Sequence, residues 1–115
     1  MQNYTKKAKD VLARAKEAAG TLGNGYIGTE HILLGLTLVQ ESTAAKALES
    51  QNVTYHQVME RISEMAGNQK QDGPVAYTPR AKHVIDMSGQ EAVHMGADQV
   101  GTEHILIALL RETDT

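Results

Sequence analysis

The 115-residue sequence has no cysteine, tryptophan or phenylalanine, and its only aromatic residues besides histidine are four tyrosines. Without cysteine, neither a disulfide framework nor a thiolate-ligated zinc site can exist. Without the larger aromatics, the core has to be built from Leu, Ile, Val, Ala and Met. That palette suits packed helices better than a sheet, which favours aromatic and β-branched residues. No stretch is apolar for the length a membrane span needs, and the first fifteen residues carry Lys6, Lys7, Lys9 and Arg14 where a signal peptide would have its apolar region. Nor is there a basic excess. The formal charge is −3, which argues against a phosphate-backbone partner and so against a helical nucleic-acid-binding domain. A soluble, cytoplasmic, single small domain is the expectation, and 41% apolar residues suffice for its one core.

The sequence is also written twice. Gly28-Thr29-Glu30-His31-Ile32-Leu33 recurs as Gly101-Thr102-Glu103-His104-Ile105-Leu106, an offset of 73 (position 29 to position 102). The same register, without a gap, pairs Tyr4 with Tyr77, Thr5 with Thr78, Ala8 with Ala81 and Val11 with Val84. It continues through Gly23 with Gly96 and Ile27 with Val100 to Leu36 with Leu109. Chance does not hold register over that span, so the chain carries a duplication. Repeat one is placed at 1–66, a Gly- and Pro-punctuated linker at 67–76, and a partial repeat two at 77–115.

Each unit reads as helices. Ala8, Val11, Leu12, Ala15, Ala19 and Leu22 form one stripe at helical spacing. Thr5 is the expected N-cap, Thr78 its counterpart followed by Pro79 at the first helical position, and Gly20, Gly23 and Gly25 end the first helix. A second helix is expected from Thr29 as N-cap, with Glu30 in its first turn and burial on most sides. A short Ala-rich helix follows over Thr43 to Glu49. The fourth opens on a capping box, Thr54 with Gln57, and a staple of Val53 with Val58; Tyr55, Val58, Met59, Ile62 and Met65 are its expected buried stripe. In the second copy helices are expected at about Thr78 to Met95 and Thr102 to Arg111. Counterparts of the third and fourth helices would fall beyond residue 115. Either the chain is cut short there or self-association covers the Ile105 to Leu110 helix.

No G-x-S-x-G, P-loop or paired nucleophile and base occurs, so no catalytic residue is expected. The five histidines form no H-E-x-x-H spacing. No metal and no cofactor are expected, and His31 and His104 are read as packed or hydrogen-bonded near a helix start. The repeated Gly-Thr-Glu-His admits two readings. It is an ordinary helix cap, or it is a binding turn. A helix start offers unpaired N–H groups and partial positive charge to an anion, while Glu30 beside it would repel a bare anion and pair with a guanidinium. A ligand carrying both groups, such as phosphorylated arginine, satisfies both halves. The candidate ligand-binding residues are therefore Thr29, Glu30, Thr102 and Glu103.

The segments Ile27 to Leu36 and Val100 to Leu109, with Ala44-Ala45-Lys46-Ala47-Leu48 and Tyr77-Thr78-Pro79-Arg80-Ala81-Lys82, resemble the doubled signature of the Clp N-terminal domain over essentially the whole chain. The likeness is to the ClpC-type branch, where both copies keep Gly-Thr-Glu-His. It implies an all-α fold of two pseudo-symmetric repeats, four helices each in the family, the second incomplete here. It implies a substrate- and adaptor-recognition module tethered to an AAA+ ATPase ring that unfolds proteins for the ClpP peptidase. Partners would be MecA-like adaptors and proteins marked by arginine phosphorylation, with Glu30 and Glu103 in the phosphoarginine pockets. The alternative is a stand-alone Clp N-domain accessory protein docking on the protease. One departure concerns the fold: the family's Gly-rich turn after the second helix is replaced by Gln40-Glu41-Ser42, which would let that helix run on.

Overall fold

The structure is a computed structural model, and it describes residues 3–66 and 76–113. The chain runs β1 (Asn3–Tyr4), α1 (Lys6–Leu22), β2 (Tyr26–Ile27), α2 (Thr29–Leu38), α3 (Thr43–Ser50) and α4 (Tyr55–Ala66). It resumes as β3 (Ala76–Tyr77), α5 (Pro79–His94), β4 (Gln99–Val100) and α6 (Thr102–Thr113). The fold is all-α, and α5 and α6 repeat α1 and α2 at the offset of 73. Most of the predicted linker, 67–75, lies outside the described residues.

The helix starts follow local chemistry. Thr5 Oγ1 accepts the amide of Ala8 at 3.1 Å and Thr78 Oγ1 that of Ala81 at 3.1 Å, and Pro79 sits where a missing N–H costs nothing. Gly23, at φ 68°, closes α1 in the left-handed conformation. The Thr54–Gln57 box forms in both directions, at 3.2 and 3.4 Å. Of the stripe expected on α4, Val58 and Ile62 are buried and Met59 partly so, but Tyr55 is exposed; the side chain of Met65 lies outside the description. The α2 helix does not run on. It stops at Leu38, and Ser42 starts α3 by accepting the amide of Ala45 at 3.0 Å, so a serine cap does the work of the glycine-rich turn.

One core joins the repeats. Val11, Ala15, Ile32 and Leu36 from repeat one pack with Val84, Ala92, Ile105 and Leu109 from repeat two. A smaller cluster of Leu34, Val58 and Ile62 fixes α4 on α2. Repeat two leaves the matching face of α6 differently finished: Ile105, Leu106, Ala108 and Leu109 are buried, Leu110 is exposed, and Arg111 bridges to Glu91 at 2.7 Å.

The strands are the element that composition did not foretell. Each is two residues long, and they pair in parallel across the repeats, β1 with β4 and β2 with β3. The amide of Thr5 donates to the carbonyl of Val100 at 2.9 Å, and that of Thr78 to Ile27 at 3.0 Å. Each short ladder therefore fastens the start of one repeat's first helix beside the start of the other repeat's second helix. That placement makes the site.

Candidate binding site at the two repeat seams

The turn before α2 is held by its own histidine. The amide of Gly28 donates to His31 Nδ1 at 2.9 Å, so Nδ1 is unprotonated, and the proton on Nε2 is directed to Asn24 Oδ1 at 2.7 Å. His31 is fully buried. Burial pushes its pKa below the ordinary value, against the opposing charge of Glu30, and the ring is neutral. Tyr26 meets the same ring edge-to-face with centroids 5.4 Å apart. The copy repeats the device, with the amide of Gly101 donating to His104 Nδ1 at 2.8 Å. Gly28, rather than Thr29, is thus the N-cap; His31 accepts the cap residue's own amide, the reciprocal half of a capping box, and no cap side chain accepts a first-turn amide. Both histidines are structural, packed and hydrogen-bonded at the helix starts.

Thr29 and Glu30 follow the Gly28 cap in the first turn of α2. They line an open cavity of about 440 Å³ together with Tyr26, Gly28 and Leu33 from repeat one and Thr78, Arg80 and Leu109 from repeat two. The Glu30 carboxylate folds back over Gly28, where a methyl group would overlap it, and Tyr26 donates to it at 3.4 Å. Burial, followed by the Glu30 charge, raises the Tyr26 pKa and keeps the phenol protonated as a donor. The first-turn amides of Thr29 and Glu30 have no acceptor one turn back, as at any helix start.

A second cavity, of about 370 Å³, stands at the related seam. Gly101, Thr102 and Glu103 line it with Thr5, Lys6, Lys7, Glu41 and Thr43. Glu103 lies over Gly101 as Glu30 lies over Gly28. Thr102 is partly committed to the fold, because its hydroxyl accepts the amide of Ala44 at 3.3 Å and so helps to start α3. All four predicted ligand-binding residues therefore reach a cavity, two in each.

Sequence reasoning missed the other half of each cavity. Thr78 and Arg80 complete the first, and Thr5 and Lys7 the second. Both threonines were read only as caps. A signal was present: at the offset of 73 Arg80 falls on Lys7, a cation two residues after the capping threonine in each copy. Each pocket thus combines a carboxylate, a threonine and a helix start from one repeat with a cation and a threonine from the other. Among the described residues no group of His, Asp and Glu is arranged to hold a metal. No helix there is long and apolar enough to cross a membrane.

Two seam pockets thus stand on one duplicated helical frame. The chain belongs to the Clp repeat (R) N-terminal domain family, whose model matches residues 3–115. It is 48% identical over 111 residues to the ATP-dependent Clp protease ATP-binding subunit ClpC of Staphylococcus epidermidis. That match covers 96% of this chain and 14% of the relative, so the chain spans about one seventh of the length of the curated protein. In fold it is similar to the Hsp104 N-terminal domain of Candida albicans, with a TM-score of 0.80 at 19% identity over 98% of this chain and 77% of that one. It is likewise similar to a ClpV N-domain solved in complex with a VipB peptide, with a TM-score of 0.79 at 17% identity over 97% and 70% of the two chains. The expected all-α repeat fold, the family and the non-catalytic character are thereby shown.

Proposed function

We propose that this domain recognises proteins for a ClpC-like ATP-dependent unfoldase, and that its two seam pockets bind phosphorylated arginine. The carrying observation is the composition of each pocket: Glu30 with Thr78 and Arg80, and Glu103 with Thr5 and Lys7. A carboxylate suits a guanidinium, while a cation, a hydroxyl and a helix start suit the phosphoryl group attached to it. A ligand with only one of these charges would leave the other half of the pocket repelling it or unused. Adaptor proteins of the MecA type and arginine-phosphorylated substrates would be the partners, with the ClpP peptidase reached through the parent ATPase. The peptide seated on the ClpV N-domain is an instance of such a fold holding a partner segment.

Calorimetry with free phosphoarginine tests the reading. Saturable binding is expected in the wild type, with arginine and phosphoserine both much weaker. Each carboxylate contact to a charged ligand is worth about 1.5–3 kcal/mol, so the double variant Glu30→Ala, Glu103→Ala should bind at least about tenfold more weakly. Unchanged affinity in that variant would remove the pockets from the proposal.

A further inference from the structure

The two pockets are not equivalent, because the cation of the first is already engaged. Arg80 Nε donates to Glu112 Oε1 at 3.2 Å, and Arg80 Nη2 to the main-chain oxygen of Glu112 at 3.4 Å. The other carboxylate oxygen of Glu112 is held by His83 Nδ1 at 2.7 Å. The hydrogen bond from His83, and then that from Arg80, hold the Glu112 carboxyl below its ordinary range, so it is an anion at neutral pH. Glu112 does not itself line the pocket; it meets the pocket through Arg80, which does.

The related seam lacks this arrangement. At the offset of 73 the counterparts of Arg80, His83 and Glu112 are Lys7, Asp10 and Val39, and no carboxylate stands at the position of Glu112. Lys7 instead donates to the neutral main-chain carbonyl of Glu41 at 2.7 Å.

We infer that Glu112 is a tethered competitor at the first pocket, a specificity-determining residue that an incoming anion has to displace from Arg80. The inference rests on the phosphoryl-binding reading above. A single carboxylate from a partner would exchange one monoanion for another on Arg80 and gain little. A phosphoryl group, with more charge and three acceptor oxygens, outcompetes the tethered carboxylate. Glu112 therefore lowers the affinity of the first pocket for every anion and lowers it most for weak ones; in the second pocket Glu41 lines the cavity, but Lys7 meets its main-chain carbonyl and not its carboxylate.

The test follows the amides of Gly28 and Gly101 in the ¹⁵N-labelled 115-residue chain during titration with phosphoarginine, since each reports one pocket. Glu112→Gln keeps the shape and removes the charge. It should tighten binding at Gly28 by about three- to fivefold, the scale of a partly exposed ion pair, and leave Gly101 unmoved. His83→Ala acts in the opposite sense, because it removes a partner that shares the Glu112 carboxylate with Arg80, and binding at Gly28 should weaken. Equal affinity at Gly28 in the wild type and Glu112→Gln, or equal changes at both amides, overturns the inference while leaving the pocket reading intact. No saturable shift in any variant overturns the pocket reading, and the competitor role with it.

Discussion

The same substitution, glycine to alanine within a helix, should move stability in opposite directions at Gly20 and Gly35. Alanine is preferred to glycine in a helix interior by about 1 kcal/mol, because glycine surrenders more backbone freedom on folding. At Gly20, on the exposed side of α1, an added methyl meets nothing within 4 Å, so Gly20→Ala should stabilise by about 0.5–1 kcal/mol. At Gly35 the methyl would land on the main-chain oxygen of Val11, with Val11 C at 3.2 Å and Cγ1 at 3.3 Å. Val11 is fully buried in α1, and a helix backbone cannot swing aside as a side chain can. Overpacking of this kind costs about 1–3 kcal/mol, which exceeds the propensity gain, so Gly35→Ala should destabilise by about 1–2 kcal/mol. For a chain of this length that lowers Tm by roughly 5–15 °C. Repeat two carries Ala108 at the corresponding position, buried, so the closer approach belongs to α1 and α2 alone. Urea unfolding followed by far-UV circular dichroism measures both variants. A Gly35→Ala protein as stable as the wild type would refute the claim that α1 and α2 meet through that glycine.

Two further outcomes follow from buried polar groups. His31 is neutral in the fold with its pKa lowered, so below about pH 6.5 the unfolded chain takes up the proton that the folded one resists. Its contribution is therefore present above that pH and is lost as pH falls through the folded-state value; Tm should drop between about pH 7 and pH 5, and less steeply in His31→Gln. In repeat two, Arg111→Leu would leave the mostly buried Glu91 carboxylate without its 2.7 Å partner, at a cost of about 1–3 kcal/mol. Adding Glu91→Ala recreates the Ala18 and Leu38 pair of repeat one and should recover most of that loss, which a double-mutant cycle by thermal unfolding would measure.

Helix starts were legible because their chemistry spans three or four residues: Thr5 with Ala8, Thr54 with Gln57, Pro79 after Thr78. The same locality explains the miscast cap at Thr29. Its neighbour His31 lies as close in sequence, but that an imidazole would take the Gly28 amide depends on the ring being buried against Tyr26. Tyr55 has the spacing of a buried residue and is exposed, since periodicity states which side chains share a face and not how far the neighbouring helices extend over it.

What the sequence determined by itself is the duplication, the positions of the helices and the two Gly-Thr-Glu-His turns, all readable from repetition and short-range capping. What the tertiary structure decided is which halves face each other. Glu30 and Arg80 are fifty positions apart, and only the β2–β3 ladder, with the amide of Thr78 on the carbonyl of Ile27, sets them in one cavity. The tie between Arg80 and Glu112 is equally non-local, a contact between α5 and α6 that no spacing rule encodes. A carboxylate and a cation acquire a joint function only when packing fixes the distance between them, and packing is a property of the whole core.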